Sequence, residues 1–284
     1  MAISRYIIYF IVATIPILFA AVQPWIWSFY TICVFAAFLI LFWQNRINKA
    51  SIPDKFYILV LGLFYLITIG QCLPLPPSFL SFLSPFRHEV LRQSNSIIES
   101  SVSWQSISYS HLSSLAWWAF MLGLLLFFLV FRKCFLSYKN WKVIIYILLI
   151  VAAAEALYGL LQALIPTMGV LWVEKTFGSA RGTYINRNHF AGFIEMILPL
   201  GLGYTLSLGN WEEKISLKTL MSTDRPNFQF FITIGLAVMV LALIFSKSRA
   251  GITGGVLGFL IFAILLPPHV LNELFTFCLG CGKL

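Results

Sequence analysis

Residues 141–165 read "WKVIIYILLIVAAAEALYGLLQALI", a long run in which only Lys142 and Glu155 carry a charge. An α-helix rises 1.5 Å per residue, so about 20 apolar residues cross the ~30 Å hydrocarbon core of a bilayer. This run is long enough to do so. Comparable apolar runs recur along the whole chain, which predicts a polytopic membrane protein built from helices.

The composition indicates the same class of protein. The chain has 60% hydrophobic and 10% charged residues, and its mean hydropathy is +0.90. Soluble domains carry about 25% charged residues, so an ordinary soluble globular protein is excluded. The net charge of +9 does not indicate a nucleic-acid partner, because basic residues in membrane proteins mostly mark orientation. We expect one integral membrane domain, residues 1–284, surrounded by membrane lipids.

The apolar runs predict an all-α transmembrane helix bundle of about eight spans. Most of the joints between them are polar and contain prolines or charges. The predicted spans are Tyr6–Val22, Trp25–Trp43, Phe56–Cys72, Leu112–Phe131, Trp141–Ile165, His189–Leu208, Phe228–Phe245 and Gly251–Leu266.

The lysines and arginines predict the orientation of the bundle. Short cytoplasmic loops are enriched in basic residues, and with the N-terminus inside, twelve of the nineteen basic residues fall on the inner side. Both termini are then cytoplasmic, and the joints at residues 73–111 and 166–188 are outer loops. The outer cations are Arg87, Arg92, Lys175, Arg181, Arg187, Lys247 and Arg249.

Four of these seven outer cations lie in two short segments, and a fifth, Lys175, precedes the first segment in the same loop. One segment is residues 181–192, "RGTYINRNHFAG", and the other is residues 246–251, "SKSRAG". The predicted topology brings both to the same side of the membrane, and the positive-inside rule does not explain them. Their convergence indicates a functional site.

The segment at residues 181–192 has a structural and a functional interpretation. Asn186 or Asn188 can cap the helix that begins here, because an asparagine side chain accepts amide protons that the first turn leaves free. One asparagine is enough for a cap, whereas Asn186, Arg187, Asn188 and His189 form a run of four polar side chains. Both a cap and a binding surface stay open.

The segment at residues 246–251 is either a polar turn between two spans or an anion-binding site. Lys247 and Arg249 lie against apolar residues on both sides, where a charge is costly unless it is paired or used. Arginine binds phosphate through parallel hydrogen bonds, and lysine binds it as a point charge. Together with the free amides of a helix start, Arg249 predicts a diphosphate site.

Two acidic residues lie inside predicted spans, where acids are paired or functional by default. Glu195 is six residues beyond His189, about 9 Å deeper along a helix, and we expect it to pair with an outer cation. Glu155 is seven residues before Gln162, which puts both on one helix face. A direct role in proton transfer is the alternative for these acids.

The five cysteines do not predict a metal site. Cys278 and Cys281 form a lone "CLGC" with no second pair and no histidines nearby, which is weak support for metal binding. We expect no metal.

Several segments together resemble the O-antigen ligase and polymerase family, bacterial inner-membrane glycosyltransferases that act on polyprenyl-linked glycans. The resemblance runs in order from Leu73 to Gly258. Its segments are "LPLPPSFLSFLSPFR" (73–87), "WQSISYSHLSSLAWWAFML" (104–122), "ALYGLLQ" (156–162), "RGTYINRNHFAGFIEMILPLGLG" (181–203) and "ALIFSKSRAG" (242–251).

This resemblance implies a multi-pass protein of the bacterial inner membrane, with periplasmic loops at residues 73–111 and 166–188. It implies transfer of a glycan from undecaprenyl diphosphate to a hydroxyl of lipid A-core or of another glycan, in lipopolysaccharide or polysaccharide biosynthesis. Lipid diphosphate is already a good leaving group, so neither a metal nor another cofactor is implied. The choice between ligase and polymerase stays open.

The family's motifs also imply roles for single residues. Arg249 matches the arginine of the family's "SRAG"-like motif and is expected to hold the diphosphate and stabilise its developing charge, a catalytic role. Asn186, Asn188 and His189 match the family's asparagine-rich motif and either touch the substrate or brace the site. The expected substrate-binding residues are Arg187, Arg181, Asn186, Asn188, His189 and Lys247, with Glu195 and Glu155 in support.

The chain departs from the family after its last predicted span. Complete members continue through a large periplasmic loop, with another arginine and a catalytic histidine, and then several more spans. The predicted outer histidines His88, His111 and His189 do not lie in that motif, and His269 is predicted to be cytoplasmic. We therefore expect a C-terminally incomplete member that lacks its general base and is inactive alone.

Two other classes of function stay open. Glu155, Gln162 and Glu195 within predicted spans fit a membrane transporter or a flippase for lipid-linked glycans. The chain shows no convincing internal repeat, however, and its outer cations gather at one face rather than at the bilayer midplane. A non-enzymatic membrane scaffold or inactive remnant is the third class.

Overall fold

The computed structural model describes residues 1–44, 55–97, 103–165, 167–171, 174–175, 178–208 and 228–266. The regular structure in these ranges is almost entirely helical, which confirms the all-α class. His269, Cys278 and Cys281 lie outside the described residues, as does the side chain of Lys175.

Helices and one small β-ladder make up the described chain. The ladder pairs β1 (Gly169–Val170) with β2 (Glu174–Lys175) in antiparallel register, and a short 3₁₀ helix covers Phe19–Ala21. The α-helices are α1 (Ala2–Thr14), α2 (Pro24–Trp43), α3 (Lys55–Gly70), α4 (Pro77–Leu83), α5 (Pro85–Ile97), α6 (His111–Cys134), α7 (Tyr138–Leu164), α8 (Arg187–Leu208), α9 (Phe228–Phe245) and α10 (Arg249–Leu265).

Among the described residues, α2, α6, α7 and α8 are long and apolar enough to cross a membrane. Helices α1, α9 and α10 and most of α3 are apolar but shorter. A helical membrane protein is compatible with this set of helices. The count of eight spans and the cytoplasmic position of both termini stay predictions.

The first predicted span, Tyr6–Val22, is wrong in its second half. Helix α1 ends at Thr14, two residues before Pro16, which has no amide proton for the helical ladder and disfavours helical geometry in the residue before it. Further on, the backbone turns left-handed at Phe19, Ala20 and Ala21, with φ angles of 53°, 52° and 54°. A continuous helix therefore does not extend to Val22.

The chain divides into two compact units. The first consists of Met1–Ile8 and Pro24–Leu136, and the second of Tyr9–Gln23 and Ser137–Leu284. That the chain forms one integral membrane domain stays a prediction.

In the first unit, α6 packs beside α2 and runs in the same direction. The rings of Trp27 and Trp117 stack with their centroids 6.1 Å apart. Further along both helices, Gly123 has no side chain, which lets Thr31 approach the α6 backbone. Any methyl group at Gly123 would have to displace the Thr31 side chain.

The predicted loop at residues 73–111 contains α4 and α5, and backbone hydrogen bonds join its two ends. Leu75 and Gln105 exchange both backbone hydrogen bonds, at 3.0 and 3.1 Å. Close by, the backbone amide of Ser108 donates to the carbonyl of Gln71 at 3.0 Å. The end of α3 therefore lies near the start of α6, and these two helices run antiparallel.

In the second unit, α7, α8 and α9 surround an apolar core. Fully buried members of that core are Ala152, Phe190, Ile194, Leu198 and Met239. In lipid, which is as apolar as these side chains, close van der Waals packing between the helices would stabilise this core.

Hydrogen bonds show the directions of these three helices. Near the start of α7 and the end of α8, the Tyr204 hydroxyl donates to that of Tyr146 at 2.7 Å. At the same end of α8, Gln229 Nε2 at the start of α9 donates to the carbonyl of Thr205 at 3.5 Å. Both α7 and α9 therefore run antiparallel to α8, which brings the ends of α7 and α9 to the start of α8.

Candidate functional site

Helices α8 and α10 of the second unit run side by side in the same direction. Their contacts advance together, four residues at a time along α8, as expected of one helix face. Both helices therefore begin at the same end of the unit. In order, the neighbouring pairs are Ala191 with Gly251, Glu195 with Gly254, Pro199 with Gly258, and Gly203 with Phe262.

This parallel pairing brings the two cationic segments together. Arg187, Asn188 and His189 are exposed in the first turn of α8, and Lys247 and Arg249 are exposed at the start of α10. We call these five residues the cationic end. Each helix start adds the positive end of its dipole. The arrangement is suited to binding an anion.

Asn186 is the cap of α8. Its Oδ1 accepts a hydrogen bond from the backbone amide of Asn188 at 2.8 Å, and its carbonyl accepts from the amides of His189 and Phe190 at 3.1 and 3.2 Å. The structural interpretation therefore holds for Asn186. The side chains of Arg187, Asn188 and His189 are not needed for the cap and project outward.

The turn before α10 alternates buried and exposed side chains. Ser246 Oγ donates to the carbonyl of Leu243 at 2.6 Å and accepts from the amide of Ser248 at 3.2 Å, and both serines are buried. Ser248 Oγ caps α10 by accepting from the amide of Gly251 at 3.1 Å. Between them, Lys247 is left-handed, with φ of 55°, a conformation that costs about 1–2 kcal/mol. The two serines hold the turn so that its cations face outward.

Residues 178–186, which lead into α8, are clamped by polar side chains of α7. Gln162 is fully buried, and its Nε2 donates to the carbonyls of Gly182 at 2.7 Å and Gly169 at 3.0 Å. Its Oε1 accepts from the amide of Arg181 at 3.1 Å. The Gln162 side chain thereby serves as hydrogen-bond partner for backbone groups of this loop. It also fixes the path of the chain into α8.

Glu155, two turns before Gln162, binds the same segment. The amide and the hydroxyl of Thr183 lie 2.7 and 2.9 Å from its two carboxyl oxygens. Gly182 is left-handed, with φ of 58°, and its Cα lies so close to Glu155 and Phe190 that a side chain would collide with both. Glu155, which was predicted to support the site, is therefore buried and holds residues 178–186 in place through hydrogen bonds.

Residues 178–186 also form hydrogen bonds with α9 and with one another. The amide of Ala180 donates to the carbonyl of Phe245, the last residue of α9, at 3.0 Å. Arg181 is half-buried, and its guanidinium donates to Ser179 Oγ and to the carbonyl of Ile185, both at 3.2 Å. Unlike Arg187 and Arg249, Arg181 uses its guanidinium to shape its own loop.

Tyr184 packs the segment onto α8. It is buried, stacks on Phe193 with ring centroids 5.8 Å apart, and meets the edge of Phe190 at 6.1 Å. Burial raises the pKa of the Tyr184 phenol, so this phenol stays neutral at physiological pH.

Glu195 lies in the seam between α8 and α10. Its Oε2 is buried with no hydrogen-bond partner among the described residues, and a methyl group at Gly254 would lie within 3.0 Å of its carboxyl carbon. Among the described residues the predicted ion pair between Glu195 and an outer cation is not formed.

Gly182, Thr183, Ser246 and Ser248 are structural members of the site that sequence reasoning missed. Two signals were present: a glycine followed by a hydroxyl residue in a loop, and two serines that alternate with cations in "SKSR". Among the described residues, no group of three or more histidine, cysteine or acidic side chains lies close enough to hold a metal ion.

Comparison of the chain with protein-family models, with curated proteins and with solved structures gives no match. The resemblance to the O-antigen ligase and polymerase family stays a prediction, and the geometry described above is what bears on function.

Gly251→Ala is expected to separate the starts of α8 and α10. A methyl group at Gly251 would collide with the rigid Ala191 Cβ, and overpacking of this kind costs about 1–3 kcal/mol. The matched control is Gly258→Ala, whose methyl group would lie at an ordinary 3.8 Å from Pro199. Chemical unfolding in detergent should show lower stability for the first variant only, and equal stability of the two would contradict the close approach.

Proposed function

We propose that the cationic end binds the diphosphate of an undecaprenyl-diphosphate-linked glycan and that the protein transfers this glycan to an acceptor hydroxyl. The acceptor is lipid A-core or another glycan, and the reaction takes place at the periplasmic face of the bacterial inner membrane. The observation that carries the proposal is the pairing of two parallel helix starts, each bearing an exposed arginine, Arg187 on α8 and Arg249 on α10.

The chemistry of a diphosphate matches these groups. Arginine forks bind phosphate oxygens through two hydrogen bonds, and the dipoles of two helix starts add positive potential. Lys247 and His189 add further donors at the same end. No metal is required by this arrangement, because the cations themselves neutralise the leaving diphosphate.

The surface beside the cationic end suits the lipid part of the donor. Exposed apolar side chains continue along both helices, including Met196 on α8 and Val256 and Leu260 on α10, which are 66%, 55% and 55% exposed. An isoprenoid chain can lie along such a surface while its diphosphate reaches the helix starts. A soluble nucleotide sugar would make no use of it.

The reaction would follow from this binding mode. The acceptor hydroxyl attacks the anomeric carbon of the glycan, the bond between that carbon and the diphosphate oxygen breaks, and undecaprenyl diphosphate leaves with the proton of that hydroxyl. Arg249, with Arg187 beside it, would stabilise the negative charge that grows on the leaving oxygen. In this reading Asn186, Glu155 and Gln162 hold the site in shape without touching the donor.

A transporter or flippase for lipid-linked glycans is the second candidate. The observation that favours it is the Glu195 carboxyl in α8, whose Oε2 has no hydrogen-bond partner among the described residues. Glu155 and Gln162 also suggested this class, but both bind residues 178–186 through short hydrogen bonds.

The test is lipid binding by the full chain in nanodiscs. We expect undecaprenyl diphosphate to bind at least about tenfold more tightly than undecaprenyl monophosphate, since one additional hydrogen bond to a charged group contributes about 1.5–3 kcal/mol. Equal affinity for the two lipids would contradict the proposal. Addition of a glycan-bearing donor and an acceptor then tests transfer, and proton-coupled movement of the lipid without transfer would favour the flippase.

A further inference from the structure

A buried chain of hydrogen-bonding groups crosses the second unit beside the cationic end. Thr183 Oγ1 lies 2.9 Å from the carbonyl oxygen of Pro16 and 2.9 Å from Glu155 Oε1. The amide of Thr183 donates to Glu155 Oε2 at 2.7 Å. Glu155 and Thr183 are only 3% and 6% exposed, so bulk water does not serve these atoms.

The number of protons available to these hydrogen bonds indicates the protonation state of Glu155. A carbonyl oxygen such as that of Pro16 only accepts, and the hydroxyl of Thr183 has one proton to donate. If Glu155 were ionised, that single proton would have to serve two acceptors 2.9 Å away on either side. A proton on Glu155 Oε1 satisfies every contact, because Glu155 then donates to Thr183 and Thr183 donates to Pro16.

Among the described residues, no cation is paired with the Glu155 carboxyl. The charged and titratable groups of residues 178–186 are Arg181, whose guanidinium bonds to Ser179 and Ile185, and the buried phenol of Tyr184. Within the described part of the chain, the hydrogen bonds of this carboxyl go to Thr183 alone. A buried carboxylate without a counterion is costly.

The neighbouring elements do not change this picture. On α7 itself, the phenol of Tyr158 and the amide of Gln162 are engaged with Gly169. From α8 the near neighbour is the apolar ring of Phe190, which lies with Glu155 around Gly182.

We infer that Glu155 carries a proton in the folded protein and donates it in a hydrogen bond to Thr183, thereby positioning residues 178–186. That segment leads directly into the first turn of α8, which carries Arg187. Glu155 is therefore a positioning residue. Its consequence for donor binding rests on the proposed function, whereas its protonation does not.

The first test compares Glu155→Gln with Glu155→Ala. A glutamine amide can donate to Thr183 Oγ1 and accept from the Thr183 amide, so it reproduces both contacts, whereas alanine leaves the buried Thr183 amide without an acceptor. We expect Glu155→Gln to retain the wild-type thermal midpoint in detergent and Glu155→Ala to lower it by roughly 4–10 °C. Equal loss in both variants would overturn the inference.

The second test observes the proton directly. The infrared spectrum of the wild type at neutral pH should contain the carbonyl stretch of a protonated carboxyl, and Glu155→Gln should remove it. The control is Glu89→Gln, because hydrogen bonds from Arg92 and Gln93 lower the pKa of the exposed Glu89 to about 2 and keep it ionised. A wild type without this band, or a band that keeps its full intensity in Glu155→Gln, would overturn the inference.

The third test asks whether the hydrogen bonds between Glu155 and Thr183 affect binding at the cationic end. Its probe is undecaprenyl diphosphate. We expect Glu155→Ala to weaken binding of this lipid about tenfold and Glu155→Gln to restore it. If the wild type binds the diphosphate no better than the monophosphate, the proposed function fails, while the infrared and stability results still decide the state of Glu155. If the wild type discriminates and Glu155→Ala binds normally, the positioning role fails instead.

Discussion

Arg249→Ala is expected to weaken binding of undecaprenyl diphosphate by about 10–100-fold, because a charge-assisted hydrogen bond contributes about 1.5–3 kcal/mol. Arg249 is exposed at the first position of α10, after a turn whose buried serines direct it outward. It is not used in capping that helix. The variant should therefore lose the ligand contact without loss of stability.

Two further variants sharpen this prediction. Arg249→Lys should recover part of the affinity, since lysine keeps the charge but not the planar fork. Lys139→Ala removes an exposed cation from the first turn of α7, at the opposite end of the same unit, and should bind the diphosphate normally. Titration of nanodisc-embedded protein with labelled lipid gives the affinities, and an equal effect of Arg249→Ala and Lys139→Ala would show a non-specific charge effect instead of a site.

Gly182→Ala is expected to be the most damaging small substitution in the site. Gly182 is left-handed, with φ of 58°, which costs an alanine about 1–2 kcal/mol. The added methyl group would also collide with the Glu155 carboxyl and come within 3.1 Å of the Phe190 ring, and overpacking adds about 1–3 kcal/mol. The Thr183 contacts of Glu155 would be lost together with this fit.

Gly178→Ala separates the two causes. Gly178 is also left-handed, with φ of 69°, but nothing lies within 4 Å of where its side chain would be. Denaturant unfolding should therefore show a loss of about 1–2 kcal/mol for Gly178→Ala, the cost of the backbone alone, and a larger loss for Gly182→Ala. Equal losses in the free energy of unfolding would mean that Glu155 and Phe190 do not pack closely against Gly182.

The helical class and the positions of most helices could be predicted from the sequence because they depend on local properties. Apolar runs such as residues 141–165 are longer than the apolar segments of helices in soluble proteins. Charges and prolines mark the ends of these runs. The exception was the first span, where Pro16 stops α1 at Thr14 although the apolar run continues. A hydropathy pattern does not detect that a backbone amide is missing.

The grouping of Arg187 and Arg249 was also predictable, as a consequence of chain direction. Helices separated by an even number of reversals run in the same direction, so two helix starts with cations come to one end. A cap by Asn186 or Asn188 was one of two interpretations open from the sequence, since a capping side chain serves amides within its own first turn, and the structure shows the cap at Asn186.

Only the tertiary structure decided what the buried polar residues do. The sequence placed Glu155 and Gln162 on one helix face, which fits a proton pathway as well as a structural bracket. Their partners, Thr183 and Gly182, are distant in the sequence, and a hydrogen bond across such a separation depends on how the loop folds back over α7.

Glu195 illustrates the same limit from the opposite direction. Proximity in sequence to outer cations predicted an ion pair, but the carboxyl lies where α8 and α10 approach closely at Gly254, and its Oε2 has no hydrogen-bond partner among the described residues. Sequence by itself determined the helical class and the end of the unit at which the cations gather, because apolar periodicity and chain direction are properties of the chain. Which polar groups are buried, and with what partners, was decided by packing between residues far apart in the chain.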